Sequence, residues 1–223
     1  MSDRVARLAP LTGVLFALLV VVGTVVGSES PGTDKPASKI VAYYETHSSE
    51  VKASAVLFAL AFLALIGFAA ALRSYARRSP SAEGVSVLIV AGSVLIAAGA
   101  LTASGVEFGL AKEIHHLGPE AVKTLSFITE EAAFLPIIGG AFIFALGAGL
   151  AILRGAPLPR WLGWVAIVLG IAALIPPASF PSLLGFAIWS VIVSVLVYKR
   201  TAHDAAQVTA GVGSGAELSS ASA

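Results

Sequence analysis

The chain contains no cysteine. That excludes disulfides, thiolate nucleophiles and cysteine-ligated zinc or iron–sulfur centres, and it removes any redox clue to compartment. Charge is scarce too, because only 12% of the 223 residues are Asp, Glu, Lys or Arg, about half the ~25% of an ordinary soluble domain. No ionisable side chain lies in the middle of any long apolar run, where proton relays and ion-coupled transporters usually keep one. The polar side chains at mid-run are Ser93, Thr102, Ser190 and Ser194, each able to bond its own helix backbone. A phosphate-cradling glycine loop, a nucleophile elbow and a metalloprotease signature are all missing, which argues against ATP hydrolysis and protease chemistry. The few cations sit at the ends of apolar runs and leave no basic groove, so nucleic acid is not expected as a partner. No cofactor is implied.

What is present is apolar: 57% of the residues are hydrophobic and the mean hydropathy is +0.90. Crossing a hydrocarbon core about 30 Å thick takes roughly 20 such residues in a helix. Six runs of that order emerge, at 11–27, 54–72, 85–106, 132–153, 161–175 and 182–198. The expected fold is therefore all-α, a polytopic transmembrane helical bundle of six spans in one membrane domain over 1–200. Between the last two runs lie Pro176, Pro177 and Pro181. Prolines interrupt helices, so a tight turn between antiparallel spans is expected there. Residues 201–223, rich in alanine, serine, glycine and threonine, lack an apolar face and are expected to be a disordered cytoplasmic tail.

Orientation follows from the cations, since short cytoplasmic loops carry the excess of lysine and arginine. All eight arginines fall on one side: Arg4, Arg7, Arg73, Arg77, Arg78, Arg154, Arg160 and Arg200. The opposite side has only lysines as cations and nine of the thirteen acidic residues. An even number of spans then places both termini in the cytoplasm. The first run has a rival reading as a cleavable signal sequence, with Arg4 and Arg7 as its basic region and an end near Gly27-Ser28. The mature terminus decides between the two.

The second and fourth spans are expected to extend as helices beyond the outer surface. Before the second, Pro36 suits a first helical turn, and Ile40, Tyr44, His47 and Val51 recur at helical spacing. Before the fourth, Gly118-Pro119 marks a start, and Val122, Leu125, Ile128, Ala132 and Leu135 form a stripe, with a kink expected at Pro136 and a hinge conceivable at Gly139-Gly140. Counting depth outward from the arginines brings His47 and Glu50 on the second helix, Glu107 on the third, and Glu130 and Glu131 on the fourth to one level. Together they are the candidate outer-rim ligand-binding residues. Carboxylates with imidazole suit a divalent metal, but the metal, if any, is not specified by the pattern, and an acidic rim wetted by solvent is the simpler alternative. His115-His116 reads as a solvated loop, because helical neighbours point about 100° apart. Small residues recur four apart at Gly23/Gly27, Gly99/Ala103, Gly105/Gly109 and Ala145/Gly149, which suits close helix approach in lipid.

The stretch from Phe134 to Arg200 carries Phe134-Leu135-Pro136, Gly147-Ala148-Gly149-Leu150-Ala151 and, most specifically, Leu158-Pro159-Arg160-Trp161-Leu162-Gly163-Trp164. It resembles a family of bacterial six-helix membrane proteins known only as a domain of unknown function. The resemblance covers about the last 70 residues of the membrane domain and implies the architecture and a bacterial plasma (inner) membrane, but no functional residues. Trp161 and Trp164 also suit a membrane interface on physical grounds. The function expected is a non-enzymatic one, accessory to a partner membrane protein or binding a small ligand or lipid head group at the outer rim. Alternatives are a small-solute permease or channel, and a membrane enzyme with an outer-face metal at His47, Glu107 and Glu130. The bilayer is the expected surrounding, and a homo-oligomer is compatible with the small-residue pairs.

Overall fold

A computed structural model describes residues 8–28 and 30–220, the side chains of Phe180 and 202–220 excepted. Arg4 and Arg7, used above for orientation, and the acidic Glu29 lie outside the described residues. Among those described there is no strand. A short 3-10 turn, Ala9–Leu11, leads into α1 (Thr12–Val26), and α2 (Ala37–Thr46) and α3 (Ser48–Ala76) follow. The helix α4 (Pro80–Glu113) ends in a 3-10 turn, Ile114–His116, before α5 (Pro119–Phe127). A π turn, Ile128–Ala132, joins α5 to α6 (Phe134–Leu153), and α7 (Arg160–Ala173) and α8 (Pro176–Ser220) complete the chain.

Among the described residues, five helical stretches are long and apolar enough to cross a membrane: Ala9–Val26, Ser48–Ala76, Pro80–His116, Pro119–Leu153 and Pro176–Thr201. The expected fifth run becomes α7, whose 14 residues extend about 21 Å at 1.5 Å each, short of the hydrocarbon thickness. The proline-rich segment also differs from expectation. The turn falls at Leu174-Ile175, and α8 starts on Pro176, because prolines in a first helical turn sacrifice only N–H groups that have no partner anyway. Ser179 and Ser182 steady this start by donating to the carbonyls of Pro176 and Ser179, both at 2.8 Å. At its far end α8 continues to Ser220, through the segment expected to lack structure. Extending an existing helix avoids the nucleation cost that an isolated segment would bear.

The six longer helices pack in a ring in the order α1, α3, α4, α6, α7, α8 and back to α1. Tyr75 at the end of α3 donates to the carbonyl of Pro157 at 3.0 Å, and Arg200 of α8 donates to the same carbonyl. These contacts gather the arginine-bearing ends of α3, α6, α7 and α8 at one end of the ring, so α7 runs away from that end and α8 returns to it. Gly155, at φ 117°, supplies the left-handed residue that ends α6 there. The ring's axis is filled. Phe68, Phe144, Phe186 and Trp189 meet in edge-on and stacked pairs with centroids 5.0 to 6.4 Å apart, a favourable range for aromatic rings. The indole N–H of Trp189 donates to the Leu162 carbonyl at 3.0 Å. Outside, large apolar side chains stand exposed, Val25 at 80% and Leu135 at 72%, as a lipid-facing surface requires.

Ring neighbours touch through glycine. A Cβ on Gly140 would lie 2.6 Å from the backbone nitrogen of Ile96, and one on Gly99 would lie 2.6 Å from the carbonyl of Ala133, so the α4 and α6 backbones are nearly in contact. Gly92 and Gly99 share a face because seven residues rotate a helix by about −20°. Gly149 and Gly163 bring α6 and α7 together in the same way. Gly105, thirteen positions from Gly92, faces about 220° away. Neither at Gly105 nor at Gly109 would a Cβ meet an atom within 4 Å, so this expected pair makes no helix contact among the described residues. Of the conceivable hinge Gly139-Gly140, Gly140 is held in the α4–α6 seam, whereas a Cβ on Gly139 would meet nothing within 4 Å. Ser93, Thr102 and Ser190 bond their own helices as expected, at 2.7 to 2.8 Å, whereas Ser194 is buried with no hydrogen-bond partner among the described residues.

At the acidic end a second, smaller core forms: Ile40, Tyr44, Val51, Leu110, Ala111, Ile114 and Val122. Two expectations about the helical extensions are corrected here. The second span does not simply continue outward, since the chain breaks at His47 (φ −110°, ψ 20°) and α2 is free to lie against α5. The stripe Val122, Leu125, Ile128, Ala132 and Leu135 is buried only at Val122; the buried face runs through Val122, Ser126, Thr129 and Ala133. Steps of four, three and four keep that face within about 40° of Val122 on an α-helix, whereas the stripe's first two steps of three drift off it by about 60° each. Ala133 donates to Ile128, five residues back, at 2.9 Å, and the wider turn rotates all that follows relative to an α-helix.

The seam generates a contrast. Gly140→Val is expected to destabilise the detergent-solubilised protein by about 3 kcal/mol, the upper part of the overpacking range, because backbone rather than a mobile side chain stands in the way. Gly105→Ala is expected to be neutral or to stabilise by about 0.5–1 kcal/mol through helix propensity. Thermal denaturation of the two variants in one detergent checks both.

Candidate functional site

A cleft of about 520 Å³ opens at the acidic end, between the last turns of α1, the start of α3, and α2. The volume falls within the ~300–1,000 Å³ usual for small-molecule sites. Gly23 and Thr24 of α1 with Gly27 just past its end form one wall, Val51, Ser54 and Phe58 of α3 another, and Tyr43 and Tyr44 of α2 cover it. Glu107 reaches in from α4. The absence of side chains at Gly23 and Gly27 leaves room beside α3: a Cβ on Gly27 would come within 2.8 Å of the Ser54 hydroxyl.

Hydrogen bonds tie the connection between α1 and α2 across this cleft. Ser28 donates to the Glu50 carboxylate, while its carbonyl accepts from the Tyr43 hydroxyl at 2.7 Å. Ser54 donates to the Gly23 carbonyl at 3.0 Å and fixes α1 to α3. Further along, the Thr33 backbone N–H donates to Glu130 at 3.1 Å. Ser48, in the first turn of α3, donates to the Ala111 carbonyl at 2.6 Å, holding α3 to the projecting part of α4.

The five residues singled out by sequence are thus separated in role. Glu107 is half-buried in the cleft and makes no hydrogen bond or ion pair with any described residue. Glu50 and Glu130 are acceptors for the connecting segment. His47 stacks on the Tyr43 ring at 5.0 Å and approaches the Tyr43 carbonyl through Nδ1 at 3.1 Å. Glu131 is exposed. Among the described residues no three of His, Asp or Glu gather closely enough to hold a metal ion, so the trio His47, Glu107 and Glu130 is not assembled as a metal site. The His115-His116 pair is exposed, as a solvated loop should be, with His115 3.8 Å from an exposed Glu45.

Electrostatically the site is negative. Burial pushes the Tyr44 phenol well above its ordinary value, and the Glu107 charge pushes it the same way, against a smaller opposing effect of the Ser126 hydroxyl. Tyr43 is raised by burial and then by Glu107 and Glu50. Sequence reasoning missed Tyr43, Phe58, Ser28 and the α1 wall. The signal that could have pointed to the first was the helical Tyr43/His47 spacing, but the α1 wall follows from the packing of α1 on α3, which has no local signal. Compared with models of protein families, with curated proteins and with solved structures, the chain matches none.

A phenol held protonated in the folded state makes stability fall as pH rises above the unfolded tyrosine pKa, because the unfolded chain releases that proton first. Alkaline absorbance titration is expected to show one late phenolate step that Tyr44→Phe abolishes and Glu107→Gln moves to lower pH. An unchanged late step in Tyr44→Phe would remove Tyr44 from this environment.

Proposed function

We propose that this chain is a multi-pass membrane protein that holds a small ligand or a lipid head group in the cleft at its acidic end, without transforming it. The carrying observation is Glu107, a half-buried carboxylate left without hydrogen bond or ion pair among the described residues, in a cleft of ligand size. An uncompensated carboxylate removed from water is costly, and a bound group that satisfies it lowers that cost. The filled aromatic axis favours binding at one end over passage through the bundle. The setting consistent with the arginine distribution is six spans, α7 being the shortest, with both termini in the cytoplasm and the cleft on the outer face. A bacterial plasma membrane is what the resemblance of residues 134–200 implies.

Thr24 is exposed at the cleft wall, and Thr24→Trp should fill the space without disturbing the ring. Native mass spectrometry of gently extracted protein is expected to show a one-to-one adduct in the wild type that is lost in this variant. Wild-type protein that stays free of any adduct, and gains none from a panel of lipids and small solutes, would count against a binding role.

A further inference from the structure

The side chains lining the cleft divide unequally between donors and acceptors. Six hydroxyls border it, those of Thr24, Ser28, Ser30, Tyr43, Tyr44 and Ser54. Five of the six already donate within the protein: Thr24 to the Val20 carbonyl at 2.9 Å, Ser28 to Glu50, Ser30 to the Pro31 carbonyl at 3.5 Å, Tyr43 to the Ser28 carbonyl at 2.7 Å and Ser54 to the Gly23 carbonyl at 3.0 Å. A hydroxyl whose proton is engaged presents only lone pairs to a visitor. The one charged side chain of the lining is Glu107, whose carboxylate accepts and cannot donate. No Lys, Arg or His borders the space, so an anion would find no positive charge, and Tyr44 alone among the six hydroxyls keeps a proton to offer it.

The remaining wall is apolar and aromatic. Phe58, Val51 and the glycine face of α1 offer little to a hydrated inorganic ion, which would have to give up water without an equal set of oxygens in return. Aromatic walls, by contrast, tolerate organic cations. We infer that the cleft takes a primary ammonium group carried on an apolar body, its N–H bonds directed to Glu107 and to the hydroxyl oxygens. This rests on the binding role proposed above and specifies its ligand class. The same chemistry is supplied by a lipid head group of the ethanolamine type or by a free alkylamine.

The test titrates purified full-length protein in an uncharged detergent with hexylammonium, hexanol and hexanoate, matched in apolar body and differing in head group. Calorimetry is expected to show saturable hexylammonium binding about tenfold or more tighter than hexanol, the scale of one charge-assisted hydrogen bond, and no hexanoate binding. Glu107→Gln should abolish the preference for amine over alcohol, and Glu107→Asp, which keeps the charge, should retain it. Should Glu107→Gln fail to fold, the wild-type comparison of amine with alcohol still decides. Equal binding of hexanol and hexylammonium, or a preference that persists in a folded Glu107→Gln, overturns the ammonium class while leaving the cleft a binding site. Absence of saturable binding by all three probes, with no lipid able to stabilise the protein, overturns the binding role itself. Repeating the titration in bilayers separates the sources. Phosphatidylethanolamine that competes with hexylammonium identifies a head group, equal affinity in phosphatidylethanolamine and phosphatidylglycerol identifies a free amine, and competition by phosphatidylglycerol alone contradicts the inference.

Discussion

In a lipid medium apolar side chains gain little by choosing a helix over an acyl chain, so helices associate where their backbones can come close. The seam of Gly92 and Gly99 against Ala133, Gly140 and Gly147 meets that requirement between α4 and α6. Much of the rest of the molecule is set by it. With those faces committed, the rotation of α4 about its own axis is fixed, and Glu107, fifteen residues from Gly92, stands about 60° from the seam. It faces the inner side of the acidic end, while Gly105 faces outward.

The length of α4 then decides what happens beyond the hydrocarbon. Its 34 residues extend about 51 Å at 1.5 Å per residue, well past a ~30 Å core. The projecting turns would expose Leu110, Ala111 and Ile114 to water, and α2 and α5 fold over them to make the second core. Covering those residues brings Tyr43 and Tyr44 over Glu107. The connection from α1 must then cross the gap, and it is held by whatever acceptors lie along its route, chiefly Glu50 and Glu130. Tethering the connection consumes hydroxyl protons. A cleft bordered by one carboxylate and by hydroxyls that, Tyr44 apart, already donate within the protein is the outcome of that arrangement.

Much of this was readable in the residues themselves. The apolar runs located five of the long helices because a span imposes length and composition together. Ile40, Tyr44 and Val51 announced a buried face on the acidic side, since α-helical spacing survives the break at His47 well enough to keep them aligned. What resisted reading came from events without a local signature. The larger apolar residues Leu125, Ile128 and Leu135 drew the eye away from the buried face, which runs through the small residues Ser126, Thr129 and Ala133, and prolines that ordinarily end a helix began one at Pro176. Glu107 could be placed at the right depth but not in the right company. Its neighbours Gly23, Thr24 and Phe58 belong to α1 and α3, whose packing side by side no periodicity within a helix encodes. Glu50 and Glu130 looked equivalent to Glu107 in sequence, yet hydrogen bonds to Ser28 and Thr33 gave them a different task.

The chain's lack of native cysteine allows the charge selectivity of the cleft to be read directly. A single cysteine replacing Thr24 can be reacted with thiosulfonate reagents of equal size bearing either an ammonium or a sulfonate group, each rate being compared with that of free cysteine. An acceptor-lined cleft governed by Glu107 predicts that the cationic reagent is strongly favoured and that this advantage disappears when Glu107→Gln is introduced. Equal relative rates for the two reagents, or an advantage indifferent to Glu107, would contradict it.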